Sequence, residues 1–289
     1  MAATLLVSIV AFGGRASAAP GYQIGTFNMA GGHEVHGLTS ADAPDTLVAS
    51  IVERQPAFIT LQEACRDWVT RVDDALTDYA VAFDPVQVSD GSTAQCKHPS
   101  HFGNAIVYRT DFGIDTAPVA YSLQSPAGEQ REMLCLAAAA RKVVVCTTHL
   151  TSRGDDTVRE GEADVAAGIL AGSYPGFTKF LGGDLNAEPL SGPTNRFYHP
   201  AYGFGAAGEF KEAGSPCGNE MTDEIVVFPD TLTCRYGEPT HDDGIGVEES
   251  GTGRKLDYLF VSPGVEVRSA DATFGIHSDH DPLWADVAF

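Results

Sequence analysis

Apolar and polar positions along the chain follow the two periods that distinguish β-strands from α-helices. Short apolar runs bounded by Gly, Pro or polar residues predict strands at residues 22–27, 58–63, 81–88, 105–108, 119–123, 131–136, 142–148, 177–181, 256–261, 265–270 and 283–287. Apolar residues at helical spacing predict helices over 43–54, 68–79 and 159–170, and a short one near 194–198. This pattern predicts one α/β domain whose helices flank a mixed sheet or a pair of sheets.

Many of the predicted strands begin or end at a polar residue suited to chemistry. In layered α/β folds, the loops at one edge of a sheet form the site. Any one such residue could simply sit in a turn or cap a helix, but the number of carboxylates, carboxamides and histidines at strand ends predicts a common site. The residues concerned are Asn28, Glu63, His149, Asp184, Asn186, Asp257, Asp279 and His280.

The stretch after the strand at 177–181 carries two of these residues beside two glycines. Gly182 and Gly183 precede Asp184, and Asn186 follows two residues later. Side chains at i and i+2 of an extended backbone point to the same side, so we expect Asp184 and Asn186 to face one point. The glycines have no side chains, so another backbone or a ligand can approach closely there.

These residue types suit metal-assisted hydrolysis of a phosphoester. Mg²⁺ takes hard oxygen ligands and keeps several waters, so Glu63 together with Asn28 or Asp279 could hold it. The ion would polarise a phosphoryl oxygen and stabilise the leaving oxygen. A histidine oriented by a carboxylate can take a proton from the attacking water, and His280 with Asp257 fits these two roles.

Composition and charge narrow the class of protein further. The chain has 289 residues, of which 43% are hydrophobic, and this is enough for a sizeable core. It carries 18 Lys and Arg against 39 Asp and Glu, a net charge of −21. Tight, salt-sensitive and non-specific binding of nucleic acid needs many basic residues at phosphates, so this balance argues against it. Turnover of a phosphate-containing substrate at a local metal ion is compatible with it.

The N-terminal residues predict export from the cell. Residues 5–12 form a short apolar run and Ala16-Ser17-Ala18 is a small-residue cleavage pattern, so we expect a signal peptide over residues 1–19. Residues 20–289 would then be a secreted, extracellular domain, which we expect to be monomeric. No other stretch is long and apolar enough to suggest stable membrane insertion.

The six cysteines fit an oxidising compartment, because their number is even and none forms a Cys-x-x-Cys pair. The strands on either side of residues 140–141 would form a tight hairpin in which Cys135 and Cys146 face each other, so we predict a disulfide between them. Sequential pairing of the other cysteines predicts the disulfides Cys65–Cys96 and Cys217–Cys234.

Two polar segments lie outside the strand ends. His33 and His36 are spaced i, i+3 in a glycine-rich loop, which does not match the helical i, i+4 spacing of a zinc metalloprotease motif. We therefore expect exposed loop histidines there. Residues 237–254 are acidic and glycine-rich, and they predict a surface loop.

Seven short segments match, in order, the motifs of a known superfamily. They are Thr26-Phe27-Asn28, Leu61-Gln62-Glu63, Gly103-Asn104-Ala105-Ile106, Thr148-His149-Leu150, Gly183-Asp184-Leu185-Asn186, Leu256-Asp257-Tyr258-Leu259-Phe260-Val261 and Ser278-Asp279-His280-Asp281-Pro282. In these segments the chain resembles the endonuclease/exonuclease/phosphatase superfamily, in particular its deoxyribonuclease I-like branch. The resemblance covers nearly all of residues 20–289, and Gly-Asp-Leu-Asn followed downstream by Ser-Asp-His is its most specific part.

The resemblance implies a fold and a metal site. The implied fold is a four-layer αββα sandwich, in which two mixed β-sheets are flanked by helices. The implied metal ligands are Asn28, Glu63 and Asp279, and the implied cofactor is Mg²⁺, with Mn²⁺ or Ca²⁺ as alternatives.

The resemblance also implies roles for the catalytic residues and for two substrate-binding residues, Arg131 and Asn104. Asp184 would align or deprotonate the attacking water, and Asn186 would contact the phosphate. His280 would act with Asp257 as an acid–base pair, and His149 would grip the scissile phosphate.

These expectations lead to a secreted, divalent-metal-dependent phosphodiester hydrolase. We predict a nuclease that cleaves extracellular DNA or RNA by in-line attack of water. A phospholipid hydrolase of the sphingomyelinase type, or a hydrolase of another phosphoester, would use the same site and is the alternative. A catalytically inactive binding protein would have lost a metal ligand or the histidine pair, and the sequence retains both.

Overall fold

The fold is that of a computed structural model, which describes residues 20–39, 41–126, 128–218, 233–242, 253–273, 275 and 277–289. The predicted signal peptide at residues 1–19 and most of the predicted acidic loop at 237–254 lie outside the described residues. Among the helices of this described part, none has the length and apolar character needed to cross a membrane.

Twelve strands and five α-helices make up the regular structure of the described residues. The strands are β1 (Gly21–Asn28), β2 (Phe58–Cys65), β3 (Tyr79–Pro85), β4 (Phe102–Arg109), β5 (Val119–Ser122), β6 (Glu132–Ala138), β7 (Val143–His149), β8 (Thr178–Asp184), β9 (Lys211–Glu212), β10 (Asp257–Val261), β11 (Glu266–Ala272) and β12 (Leu283–Ala288). The helices are α1 (His36–Thr39), α2 (Ala43–Arg54), α3 (Arg66–Ala75), α4 (Asp156–Ser173) and α5 (Gly192–Asn195).

The strands form two mixed sheets of six strands each. Their orders are β11-β12-β1-β2-β4-β3 in the first sheet and β5-β6-β7-β8-β10-β9 in the second. Each sheet has one parallel pair at its centre, β1 with β2 and β7 with β8, while the other pairings are antiparallel. Because parallel strands end at the same edge, the carboxyl ends of these two central pairs can carry one site.

Apolar side chains fill three layers of core. The layer between the sheets contains Ile24, Phe58, Ile106, Leu134, Val145, Phe180 and Leu259. Helices α2 and α3 cover the outer face of the first sheet, and α4 covers that of the second. The predicted four-layer αββα sandwich is therefore confirmed.

Three predicted helices have different bounds in the structure, and the one predicted over 159–170 spans Asp156–Ser173. The helix predicted over 68–79 spans Arg66–Ala75, and Tyr79 instead begins β3, where it pairs with Arg109. Apolar spacing continues past the end of α3, but pairing with β4 determines the conformation of the following residues. The short helix predicted near 194–198 is α5, which lies at Gly192–Asn195 and begins after Ser191.

All three predicted disulfides are confirmed. Cys135 and Cys146 occupy opposite positions of the β6–β7 hairpin, with Cα atoms 4.1 Å apart. The other two are Cys65–Cys96 and Cys217–Cys234. Cys65 is the last residue of β2, so its disulfide with Cys96 joins the end of that strand to the loop before β4.

Gly182 lies where the two sheets approach each other closely. An added Cβ at this position would collide with Thr60 Oγ1 and would lie 3.0 Å from Thr26 Cβ. Both threonines belong to the first sheet and are fully buried. The close approach that the glycine pair predicts is therefore made by the opposite sheet.

We predict that Gly182→Ala destabilises the protein by about 1–3 kcal/mol, the usual cost of overpacking a core. The matched control is Gly168→Ala on the exposed side of α4, where an added Cβ meets nothing within 4 Å. That change should stabilise the protein by up to about 1 kcal/mol, because alanine is the better helix former. Urea unfolding measures both, and equal effects of the two changes would contradict the close approach of the sheets.

Candidate active site

The functional strand ends of both sheets meet at one edge of the sandwich. In the second sheet, the register places His149 of β7 and Asp257 of β10 opposite Asp184 of β8. In the first sheet, Asn28 ends β1, and its side-chain amide donates to Asp184 Oδ2 across the gap at 2.9 Å. The structure thus brings the predicted strand-end residues from the two sheets together.

Glu63 occupies a bulge near the end of β2. The β2–β4 register shifts between Leu61 and Ala64, and Glu63 has a left-handed backbone with φ of 50°. A bulge turns a side chain out of the regular ladder. The Glu63 carboxylate accepts a hydrogen bond from the backbone N–H of Gly32 at 2.9 Å, and its other oxygen lies 3.9 Å from His149 Nε2.

Asp184 and Asn186 face each other, but not through an extended backbone. The predicted alternation is wrong here, because Asn186 has a left-handed φ of 48°. Asp184 Oδ1 accepts the backbone N–H of Asn186 at 2.8 Å, and the Asn186 amide lies 3.4 Å from Asp184 Oδ2. The side chain therefore returns to Asp184 through a tight turn, in the way that Asp and Asn commonly shape turns.

Asp184 is buried between the two sheets, and its carboxylate accepts hydrogen bonds from Asn28 and Asn186. Burial, together with the nearby charge of Asp257, raises its pKa to about 7 against the opposing effects of His280 and of the hydrogen bonds from Asn186 and Asn28. A carboxyl group with a pKa near neutrality can both accept and release a proton at physiological pH.

His280 and Asp257 form a buried pair. Nδ1 of His280 lies 2.7 Å from Asp257 Oδ2, and its Nε2 lies 3.7 Å from Asp184 Oδ2. Burial lowers the pKa of His280, but the carboxylates of Asp257 and Asp184 and the hydrogen bond to Asp257 outweigh this and raise it to about 10. The ring is thus held as an imidazolium whose free N–H points toward Asp184.

His149 has the opposite electrostatic environment. Its Nδ1 contacts the guanidinium of Arg131 at 3.2 Å, and its Nε2 lies 2.9 Å from the Asn186 amide and 3.5 Å from Asp184 Oδ2. Burial, and then the positive charges of Arg131 and His280, hold its pKa well below the usual value. His149 is therefore a neutral hydrogen-bonding group, while His280 is the cationic histidine of the site.

The predicted metal ligands offer hard oxygen atoms: Asn28 is buried, whereas the side chains of Glu63 and Asp279 are 19% and 23% exposed. Burial raises the pKa of Glu63, and the charge of Asp279 raises it further, so the two carboxylates repel each other and a cation between them would relieve that repulsion. Asn28 Oδ1 accepts the backbone N–H of Ala30 at 2.9 Å and retains a second lone pair. Two carboxylates, one amide oxygen and water fit the preferences of Mg²⁺.

The two predicted substrate-binding residues differ in their surroundings. Arg131 lines a cleft of about 720 Å³ together with Glu63, and it also pairs with Glu129 at 3.0 Å. Asn104 is only 2% exposed and donates to Glu132, whose pKa is raised to about 9 by burial and by Asp84. The structure gives Asn104 a buried partner, and its contact with substrate stays a prediction.

Sequence reasoning missed two residues beside the histidine pair, Thr240 and His241. The Thr240 hydroxyl accepts the backbone N–H groups of Leu256 and Asp257 at 3.2 and 2.9 Å, so it positions the start of β10. His241 forms an isolated bridge with His280, and the two rings meet edge to face. Thr240 and His241 belong to a segment without apolar periodicity. Their contacts with Leu256, Asp257 and His280, which are 16 or more positions away, have no sequence signal.

The fold agrees with comparisons to known proteins. The sequence profile of the endonuclease/exonuclease/phosphatase family matches residues 25–280. The chain belongs to the endonuclease/exonuclease/phosphatase family and is a metal-dependent phosphoric ester hydrolase. A search of the curated proteins found no significant match.

Several solved structures have the same fold, and their names indicate different ligands. The human nocturnin catalytic domain with bound sulfate has 17% identity and a TM-score of 0.64 over 93% of this chain and 94% of its own. TDP2 from D. rerio in complex with a single-strand DNA product has 13% identity and a TM-score of 0.65, with 93% and 99% covered. A mannosyl-6-phosphatase from Bacteroides thetaiotaomicron has 16% identity and a TM-score of 0.64, with 93% and 100% covered.

We predict that Asp257→Asn lowers the pKa of His280 from about 10, because burial then acts against the imidazolium with one carboxylate fewer to oppose it. In the wild type, this group stabilises the folded state fully below the ordinary histidine pKa of 6.5, and that contribution is lost as pH rises through about 10. NMR titration of the His280 ring protons measures the change, with the signals of remote histidines as the control. An unchanged titration of His280 would contradict the pairing.

Proposed function

We propose that this protein is a secreted, Mg²⁺-dependent phosphodiesterase, and specifically a nuclease that cleaves DNA or RNA. The observation that carries the proposal is the Asp257–His280 pair at 2.7 Å, which faces Asp184 at 3.7 Å beside the metal-binding carboxylates. An acid–base group, a cation and a metal site on one edge are the parts that hydrolysis of a phosphodiester requires.

Three residues are proposed to hold the metal ion. Glu63 and Asp279, with Asn28, would hold a divalent cation, which would supply positive charge to a phosphoryl oxygen and to the leaving oxygen. The bulge at Glu63 and the hydrogen bond from Gly32 orient that carboxylate toward the open side of the site.

Asp184 and His280 are proposed to divide the proton transfer. Asp184, with a pKa of about 7, accepts the proton of the attacking water. His280 remains an imidazolium through its hydrogen bond to Asp257, and its Nε2–H donates to the phosphate or to the leaving oxygen. This division follows from environments that set the two pKa values apart.

His149 and Asn186 are proposed to hold the scissile phosphate. The neutral imidazole and the amide lie 2.9 Å apart, so both can direct hydrogen bonds to one phosphate group. Arg131 supports the ring from the side of Nδ1 at 3.2 Å. A phosphate held by these groups would lie next to Asp184, the proposed acceptor of the water proton.

The cleft next to Glu63 supports an anionic substrate longer than a single phosphate. Its volume is about 720 Å³, and its lining includes Lys97, Arg131 and Arg153. Three basic residues in one cleft are notable in a chain with only 18 Lys and Arg. The complex of TDP2 with a single-strand DNA product shows that a protein of this fold binds such a strand.

Hydrolysis of a phosphomonoester or a phospholipid by the same site is the alternative. The mannosyl-6-phosphatase with this fold supports a small phosphoester. A panel that includes a hexose phosphate, sphingomyelin, DNA and RNA decides between these substrates, because the metal site alone does not select the leaving group.

Secretion is supported by the cysteines, all six of which form disulfides. Such bonds persist in oxidising compartments. We expect the mature protein in the culture medium to begin at Ala19 or Pro20, as measured by intact mass. Recovery of the uncleaved chain from inside the cell alone would contradict export.

We predict that Mg²⁺ supports hydrolysis of DNA, RNA or bis-p-nitrophenyl phosphate and that EDTA abolishes it. His280→Ala should lower kcat by about 10²–10⁴-fold, the usual contribution of a positioned acid–base group. The matched control is His101→Ala, because His101 is exposed and lies outside the site. Substantial activity in EDTA, or equal rates of the two variants, would contradict the mechanism.

A further inference from the structure

A histidine that the proposed mechanism does not use stands against the metal-binding carboxylate Asp279. Nε2 of His241 lies 3.7 Å from Asp279 Oδ2, and the His241 and His280 rings are 4.6 Å apart between centroids. One ligand atom from each of these three side chains lies within 4.8 Å of the other two. Two imidazoles and one carboxylate therefore converge at the edge of the active site.

Backbone pairing holds this group in place. The His241 N–H donates to the Arg254 carbonyl at 3.0 Å, and the Asp242 N–H donates to the Asp279 carbonyl at 2.9 Å. His241 also forms an isolated bridge with His280. The three side chains are thus carried by backbone segments that are hydrogen-bonded to one another, and such support keeps a ligand set in register.

The ring nitrogens are arranged as in a zinc site. Asp257 contacts Nδ1 of His280 at 2.7 Å, and a metal would bind Nε2 with release of the proton that the imidazolium carries there, as in carboxylate–histidine–zinc arrangements. Within the described part of the chain, Nδ1 of His241 is buried without a hydrogen-bond partner. Its Nε2 faces Asp279 at a distance too long for a hydrogen bond. Zinc bonds of about 2.0–2.2 Å in a tetrahedron would place ligand atoms about 3.3–3.6 Å apart. The 3.7 Å between His241 Nε2 and Asp279 Oδ2 is close to that separation.

We propose that His241, Asp279 and His280 form a binding site for Zn²⁺ or a similar borderline transition-metal ion. Imidazole nitrogen suits such ions, whereas Mg²⁺ prefers oxygen ligands. Zinc at this site would occupy His280 Nε2 and Asp279, both needed for the proposed hydrolysis, and would therefore inhibit the Mg²⁺-dependent reaction. This inhibition, unlike zinc binding itself, rests on the proposed function.

His33 provides a matched control on the same carboxylate. Its Nε2 lies 3.9 Å from Asp279 Oδ2, nearly as close as that of His241. However, its Nδ1 accepts the backbone N–H groups of Val35 and His36 at 3.3 and 3.4 Å. The neutral ring therefore carries its proton on Nε2, the nitrogen that faces Asp279, so this nitrogen has no lone pair to offer a metal ion.

The test measures zinc binding and zinc inhibition in the full-length protein. Isothermal titration calorimetry with Zn²⁺, in the absence of substrate, gives the affinity of the wild type and of His241→Asn, His241→Gln and His33→Asn. Loss of one ligand should weaken zinc binding by at least about 10-fold in both His241 variants, more than the usual effect of losing an outer-shell partner. His33→Asn should bind zinc like the wild type.

The inhibition assay uses saturating Mg²⁺ and increasing Zn²⁺. We expect the His241 variants to keep a rate close to wild type in Mg²⁺ alone and to need at least about 10-fold more Zn²⁺ for half-inhibition. Wild-type zinc affinity in both His241 variants, or an equal loss in His33→Asn, would overturn the site. If no substrate is hydrolysed, the proposed function fails, but calorimetry on variants with wild-type circular dichroism still decides whether the zinc site exists.

Discussion

A hydrogen bond between the two sheets, from Asn28 to Asp184 at 2.9 Å, joins the halves of the active site. It is possible only because the sheets come together closely, with Gly182 facing Thr26 and Thr60 where no side chain would fit. A second bond across the gap, from Gln62 to Thr147 at 2.8 Å, lies behind it. The edge of the first sheet that carries the proposed metal ligands is thereby fixed against the edge of the second that carries the proposed acid–base residues.

The close approach of the two sheets also determines the electrostatics of the site. Asp184 and Asp257 are buried at opposite positions of neighbouring strands, and burying two such carboxylates is costly without a compensating charge. The His280 imidazolium provides that charge, and its raised pKa follows from the two carboxylates that it contacts. His149, which Arg131 approaches instead, is held neutral. Two histidines about the same carboxylate thus acquire different charges, and so different chemical roles.

The sequence allowed the architecture and the clustering of the strand-end polar residues to be predicted, because these residues and the family motifs are local features. The disulfide between Cys135 and Cys146 was also predictable from a local feature, the register of the hairpin. Features that depend on packing across the fold were not predictable. The helix at Trp68 ends early because Tyr79 pairs with β4, and the bulge at Glu63 arises from pairing with that strand.

The most direct test of the account is the position of the catalytic metal. A crystal of the protein with Mn²⁺ and a phosphate analogue would locate the ion by its anomalous signal. The account predicts an ion bound by the carboxylates of Glu63 and Asp279, with the analogue between it and His280. Binding of the ion at the alternative group of Asp184, Asp257 and His280, with Glu63 uninvolved, would contradict the account.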